Sequence, residues 1–204
     1  MSALKQISII LLFVLGLSNY CISQTVTYVK KPLRKQFPQF MLSPYGGAIF
    51  PLPKIMNENF KPGGNFGIDA AYRVNREVAL YGKFSYFFMS SKITGAPVGS
   101  YMEFSAGPRY YFTHPKLNSE LFFEGGVGAY NFRQKSYVNP GDSTGATISQ
   151  INNTRPGING GIGATLGLSK AIDILVKSDY HVIFTPNGST SFLTVGAGFD
   201  FRFR

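Results

Sequence analysis

Between residues 66 and 203 the chain repeats one pattern: short segments in which apolar and polar positions alternate, separated by turn-rich sequence. In 66–74, Phe66, Ile68, Ala70, Tyr72 and Val74 share one face, and Gly67, Asp69, Ala71 and Arg73 share the other. A period of two marks a strand, because successive side chains leave a strand on opposite sides. The same alternation runs through 78–88, 101–112, 121–130, 157–168, 172–184 and 192–203. An eighth strand is expected near Phe40 to Phe50, where Pro44 and the pair Gly46–Gly47 leave its facing open. Across the seven clear segments 41 side chains fall on the apolar face, and none is charged. Chance placement of the 15% charged residues would put about six there, so the face is selected against charge.

The connections differ in length. Those near 75–77 and 169–171 are short and 113–120 is moderate, whereas 51–65 and 131–156 are long, with 89–100 intermediate and 185–191 short. Short turns at one end and longer loops at the other are expected of a transmembrane barrel. The pattern predicts an all-β fold, a closed antiparallel up-and-down transmembrane β-barrel of about eight strands over residues 39–204. Loops 51–65 and 131–156 are expected to face outside.

The N-terminus adds an export route. Lys5 precedes an apolar run from Ile7 to Leu17, too short to span a bilayer as a helix. Small residues follow, so 1–23 reads as a signal peptide cleaved after Ser23, and 24–38 as a basic periplasmic segment. Tyr20 before Cys21 is a poor fit to a lipidation signal, and without Cys21 the mature chain has no cysteine. The formal charge is +10, but the one dense cluster is Lys30, Lys31, Arg34 and Lys35 in that tail. A nucleic-acid binder needs a basic face on its fold, so no nucleic acid is expected, and lipid phosphates suit the charge better.

Alternation alone does not say which face points inward. The apolar face is rich in large aromatics, and eight strands enclose limited room. The other face carries Gly67, Gly107, Gly126, Gly128, Gly161, Gly163, Gly196 and Gly198, with acidic and basic residues nearly balanced. A crowded, charged lumen inside a lipid-facing wall follows. Charges held there must be paired. Folding the hairpins about their turns sets Arg109 level with Glu124, Asp69 with Lys83, and Asp173 with Arg202 as structural lumen pairs.

With the signal peptide, the alternating strands and the ending FDFRF, the chain resembles the small outer-membrane barrels of the OmpA/OmpX-like type. Arg204 follows Phe203, where members of that family usually end on the aromatic itself. The resemblance implies residence in the bacterial outer membrane and no particular activity. Residue chemistry adds little to that. Gly161, Gly163 and Gly167 lack a following helix and suit a lumen better than a nucleotide. His114 and His181 have no companions at metal-ligand spacing, so neither metal nor cofactor is expected. Ser178 is expected to face lipid and His181 the lumen, which separates the one Ser–His pair considered for lipid hydrolysis. The expected function is a non-enzymatic structural or interaction barrel. Its expected partners are outer-membrane lipid, lipopolysaccharide and an external or periplasmic protein. A narrow pore for small solutes and a soluble lipid-binding barrel are the alternatives.

Overall fold

A computed structural model describes residues 37–52, 55–93, 95–113, 119–138, 147–186 and 188–203. The signal peptide expected at 1–23, Cys21, the basic segment up to residue 36, His114 and Arg204 lie outside the described residues. Eight long strands close a barrel: β1 (Gln39–Pro51), β2 (Gly63–Arg73), β3 (Val78–Met89), β4 (Gly99–Thr113), β5 (Ser119–Gln134), β8 (Ile151–Gly167), β9 (Ile172–Thr185) and β10 (Gly188–Phe203). Every neighbouring pair is antiparallel, and β1 closes the barrel against β10. A short helix α1 (Ile55–Asn59) joins β1 to β2. A two-stranded ribbon of β6 (Tyr137–Val138) and β7 (Thr147–Ile148) joins β5 to β8.

The ladder partners give the barrel's geometry. Stepping around the wall from Gln39 leads through Arg73, Ala79, Arg109, Glu124, Gly161, Asp179 and Thr194 to Ile49, ten residues further along the starting strand. The strands are therefore tilted and staggered, as closure requires, and eight of them leave an interior that side chains fill.

The facing is that of a membrane protein. Val127 is 69% exposed and Ile162 65%, while Arg109 is 1% and Lys83 3% exposed. A water-soluble fold would reverse those pairs. Within β1, Gln39, Met41, Ser43, Tyr45 and Ile49 point inward, and Pro44 points outward.

Three connections lie at the end that holds Gln39 and Phe203: 74–77, 114–118 and 168–171. The opposite end carries 52–62 with α1, 90–98, 135–150 with its ribbon, and the tight turn at 186–187. Several boundaries differ from the sequence reading, and the strands are longer throughout: residues 63–65, 99–100 and 119–120, expected in connections, open β2, β4 and β5. Residues 131–134 and 151–156, expected as loop, continue β5 and β8. Their outward positions are polar because the strands run on past the apolar belt, so alternation fades although the ladder does not. The turn expected at 185–191 narrows to two residues, with Thr185 opposite Gly188. Gly188 holds a φ of 139°, where a side chain would be strained.

Candidate functional site

The lumen is packed in three layers. Toward the end that holds Gln39 and Phe203, Met41, Ala71, Ala79, Tyr81, Tyr111, Phe122 and Leu175 form one apolar cluster. Arg73 lies across it, with Nη1 2.7 Å from Glu120 Oε2 and its guanidinium 3.8 Å above the Tyr111 ring. At the opposite mouth Ile49, Met56, Phe87, Met89, Tyr130, Ile183 and Phe192 form a second cluster, with Phe60 and Tyr101 against it. Met56 comes from α1, which thus caps the mouth. Backbone bonds from Lys61 to Ser90 and from Lys92 to Asn59 hold that cap down.

Between the two clusters sits an ionic layer of three cations and three carboxylates. Lys83 Nζ is 2.8 Å from Glu124 Oε1 and 3.1 Å from Asp179 Oδ2. Arg109 donates from Nε to Glu124 Oε2 at 2.6 Å and from Nη2 to Asp69 Oδ2 at 2.7 Å. Lys177 Nζ lies 2.8 Å from Asp69 and 3.3 Å from Asp179. All six are buried, and charge is balanced within the layer. Toward the outer mouth, Glu103 Oε1 accepts from Ser105 at 2.7 Å, Asn159 at 2.8 Å and Tyr130 at 3.0 Å. The Tyr130 hydroxyl is 3.1 Å from His181 Nδ1, and the His181 ring stacks on Phe192 with centroids 4.6 Å apart. The glycines of β8 make room for these groups. A Cβ on Gly161 would meet Asp179, and one on Gly163 would meet the Phe122 ring.

The three charge pairs named from sequence fare differently. Arg109 and Glu124 stand opposite each other in the ladder, and their side chains meet. Asp69 and Lys83 also stand opposite each other. Their described ion pairs, however, run to other residues: Asp69 to Arg109 and Lys177, Lys83 to Glu124 and Asp179. In a narrow lumen long side chains reach across the barrel as readily as along the wall. The residue opposite Asp173 is Asp200, because the tight turn shifts β10 from the expected register. Arg202 meets the Asp173 carboxylate from one diagonal step away. Sequence reasoning missed Arg73–Glu120, the contacts of Lys177 and the polar group around Glu103. Glu120 fell within the expected connection at 113–120, and Arg73 and Lys177 reach carboxylates three strands away, which hairpin register does not show. Glu103 stands level with Tyr130, a neutral partner to which charge pairing does not point.

Ser178 lies on the outer side of β9, where its hydroxyl donates to the Thr194 carbonyl at 3.0 Å, and His181 lies in the lumen. Strand alternation keeps them on opposite faces of the wall.

Beyond the apolar belt the outer rim changes character. Ser100, Asn131, Arg133, Asn152 and Thr154 occupy outward positions on β4, β5 and β8. Asn131 Nδ2 donates to Asn152 Oδ1 and Thr154 Oγ1, each at 2.9 Å, and Arg133 Nε donates to Asn131 Oδ1 at 2.7 Å. Among the described residues this end carries Lys61, Lys92, Arg133, Lys135 and Arg155 against Glu58, so it is basic.

A closed eight-stranded barrel with an apolar exterior and a filled, charged interior is the fold of the small outer-membrane barrels, and this chain has that fold. It is similar to Neisserial surface protein A, with a TM-score of 0.59, 14% identity, and coverage of 81% of this chain and 97% of that one. It is similar also to the outer-membrane protein OprG of Pseudomonas aeruginosa, with a TM-score of 0.56, 13% identity, and coverage of 82% and 96%. The N-terminal barrel domain of OprF from the same organism gives a TM-score of 0.52, 16% identity, and coverage of 81% and 98%. No protein-family model matches the chain, and no curated protein matches it in sequence.

Proposed function

We propose that the protein resides in the bacterial outer membrane as a non-enzymatic structural and interaction barrel that works through its outer rim. The signal peptide expected at 1–23 would supply export, and the basic segment expected at 24–38 would be periplasmic. The observation that carries this reading is the filled lumen. Two apolar clusters and a neutral ionic layer occupy it, and α1 covers the outer mouth. A solute would have to displace buried ion pairs and the aromatic stack at His181, which argues against the narrow pore. The apolar exterior argues against the soluble lipid-binding barrel, whose apolar face would line a cavity.

What remains accessible is the rim. Its excess of Lys and Arg suits the phosphates of lipopolysaccharide, as charge complementarity requires. An external protein partner would meet this same end of the barrel. Reconstitution tests both parts. Planar-bilayer recordings should show no stable conductance, and the barrel should retain lipopolysaccharide in preference to phosphatidylglycerol. A steady single-channel current would favour the pore instead.

A further inference from the structure

The rim and the wall below it carry two features that fit one molecule. Arg133 is exposed and is aimed by its bond to Asn131, itself fixed between Asn152 and Thr154. Among the described residues Arg133 makes no ion pair. This leaves a guanidinium edge for a phosphate, beside an amide and hydroxyl surface that suits sugar hydroxyls. These residues occupy the first polar positions above the apolar belt, the level of lipid headgroups.

Below them the wall has a depression of about 530 Å³. Its floor is a row of small residues, Ala70, Gly82 and Ala106, aligned in the ladder and leading to Val127. Phe84 and Phe104 form one flank. A Cβ on Gly82 would meet nothing within 4 Å, so the depression is open to lipid at that point. Val127, which the ladder sets level with Ala106 and Gly82, lies six residues below Arg133 on β5, about 20 Å at the rise of a strand. That span suits a chain hanging from a headgroup at Arg133 into the bilayer.

We infer that one lipopolysaccharide molecule docks on the β2–β5 and β8 wall, with a headgroup phosphate on Arg133 and an acyl chain over Gly82. The inference rests on the rim reading above and gives it a site. The headgroup carries both of the chemistries that the rim offers, phosphate and sugar, and its acyl chain fills a groove that a soluble polyanion would leave to bulk lipid.

The test uses the full chain in phosphatidylcholine nanodiscs, with bound lipid counted by native mass spectrometry. The probes are lipid A, dephosphorylated lipid A, phosphatidylglycerol and inorganic phosphate. The wild type should hold one lipid A ahead of phosphatidylglycerol, and inorganic phosphate should not displace it. Arg133→Gln should weaken lipid A about tenfold, the scale of one lost charged hydrogen bond. Dephosphorylated lipid A should bind the wild type and that variant alike. Gly82→Leu has room for its Cβ and fills the depression with its side chain, so it should weaken both lipid forms by the same factor. Arg133→Lys, which keeps charge and loses the fork, should fall between wild type and Arg133→Gln and serves if the glutamine variant misfolds. Wild-type affinity for lipid A in folded Arg133 and Gly82 variants overturns this site and leaves the rim reading standing. Equal binding of lipid A and phosphatidylglycerol by the wild type overturns the rim reading itself. Displacement by inorganic phosphate would make the rim a simple anion site and also overturns the inference.

Discussion

Glu124 takes up Lys83 from β3 and Arg109 from β4, with Lys177 of β9 at 3.7 Å. Removing its charge leaves three buried cations facing two carboxylates, and an uncompensated buried charge costs about 3–5 kcal/mol. Glu124→Gln should therefore lower the denaturant midpoint strongly in lipid vesicles, with an unchanged slope as the sign that compactness is kept. Arg133→Gln, at an exposed position, should move it by less than about 0.5 kcal/mol. Equal midpoints for the two variants would mean that the ionic layer does not hold the barrel. At this scale the sequence showed most of the charged residues that enter the lumen, because facing follows from parity, and missed Glu120, which fell in the expected connection at 113–120. It did not show who meets whom. Asp69 and Lys83 stand level, yet side-chain length and lumen width send each to other partners.

Seven strands were legible as elements because each has to present an uncharged row to lipid, and that constraint writes itself into every second residue. β1 was harder. Pro44 and Gly46 lie on its outward face, where apolar side chains were looked for, so its phase came only from pairing with β2 and β10. The outer ends of β5 and β8 were read as loop because the constraint stops at the membrane surface while the ladder continues. α1 gave no signal, since five residues are less than two turns of periodicity. The β9–β10 turn was placed too broadly, although Pro186, Asn187 and Gly188 mark it in the sequence. Gly188→Ala should cost about 1 kcal/mol or more, because alanine strains at that positive φ. Refolding yield and denaturant midpoint in the same vesicles measure it. A neutral outcome would mean that the hairpin relaxes to another turn.

At the scale of the molecule the barrel inverts the usual arrangement, with aliphatic and aromatic residues outside and ion pairs inside. The stagger of the ladder closes a wall too narrow to leave a bore, and the two apolar clusters seal the ionic layer from both mouths. Function is thereby pushed to the rim and the outer wall, which are also the parts of the sequence with the weakest pattern. The direct test of this arrangement is site-directed spin labelling in lipid vesicles at Phe104, Ser105, Ala106 and Val127. Cys21 is the only natural cysteine and lies within the expected signal peptide. Labels at Phe104, Ala106 and Val127 should be accessible to dissolved oxygen and shielded from a water-soluble nickel chelate, while the label at Ser105 should be shielded from both. Nickel access at those three positions, or no alternation between 104, 105 and 106, would contradict a filled barrel embedded in lipid.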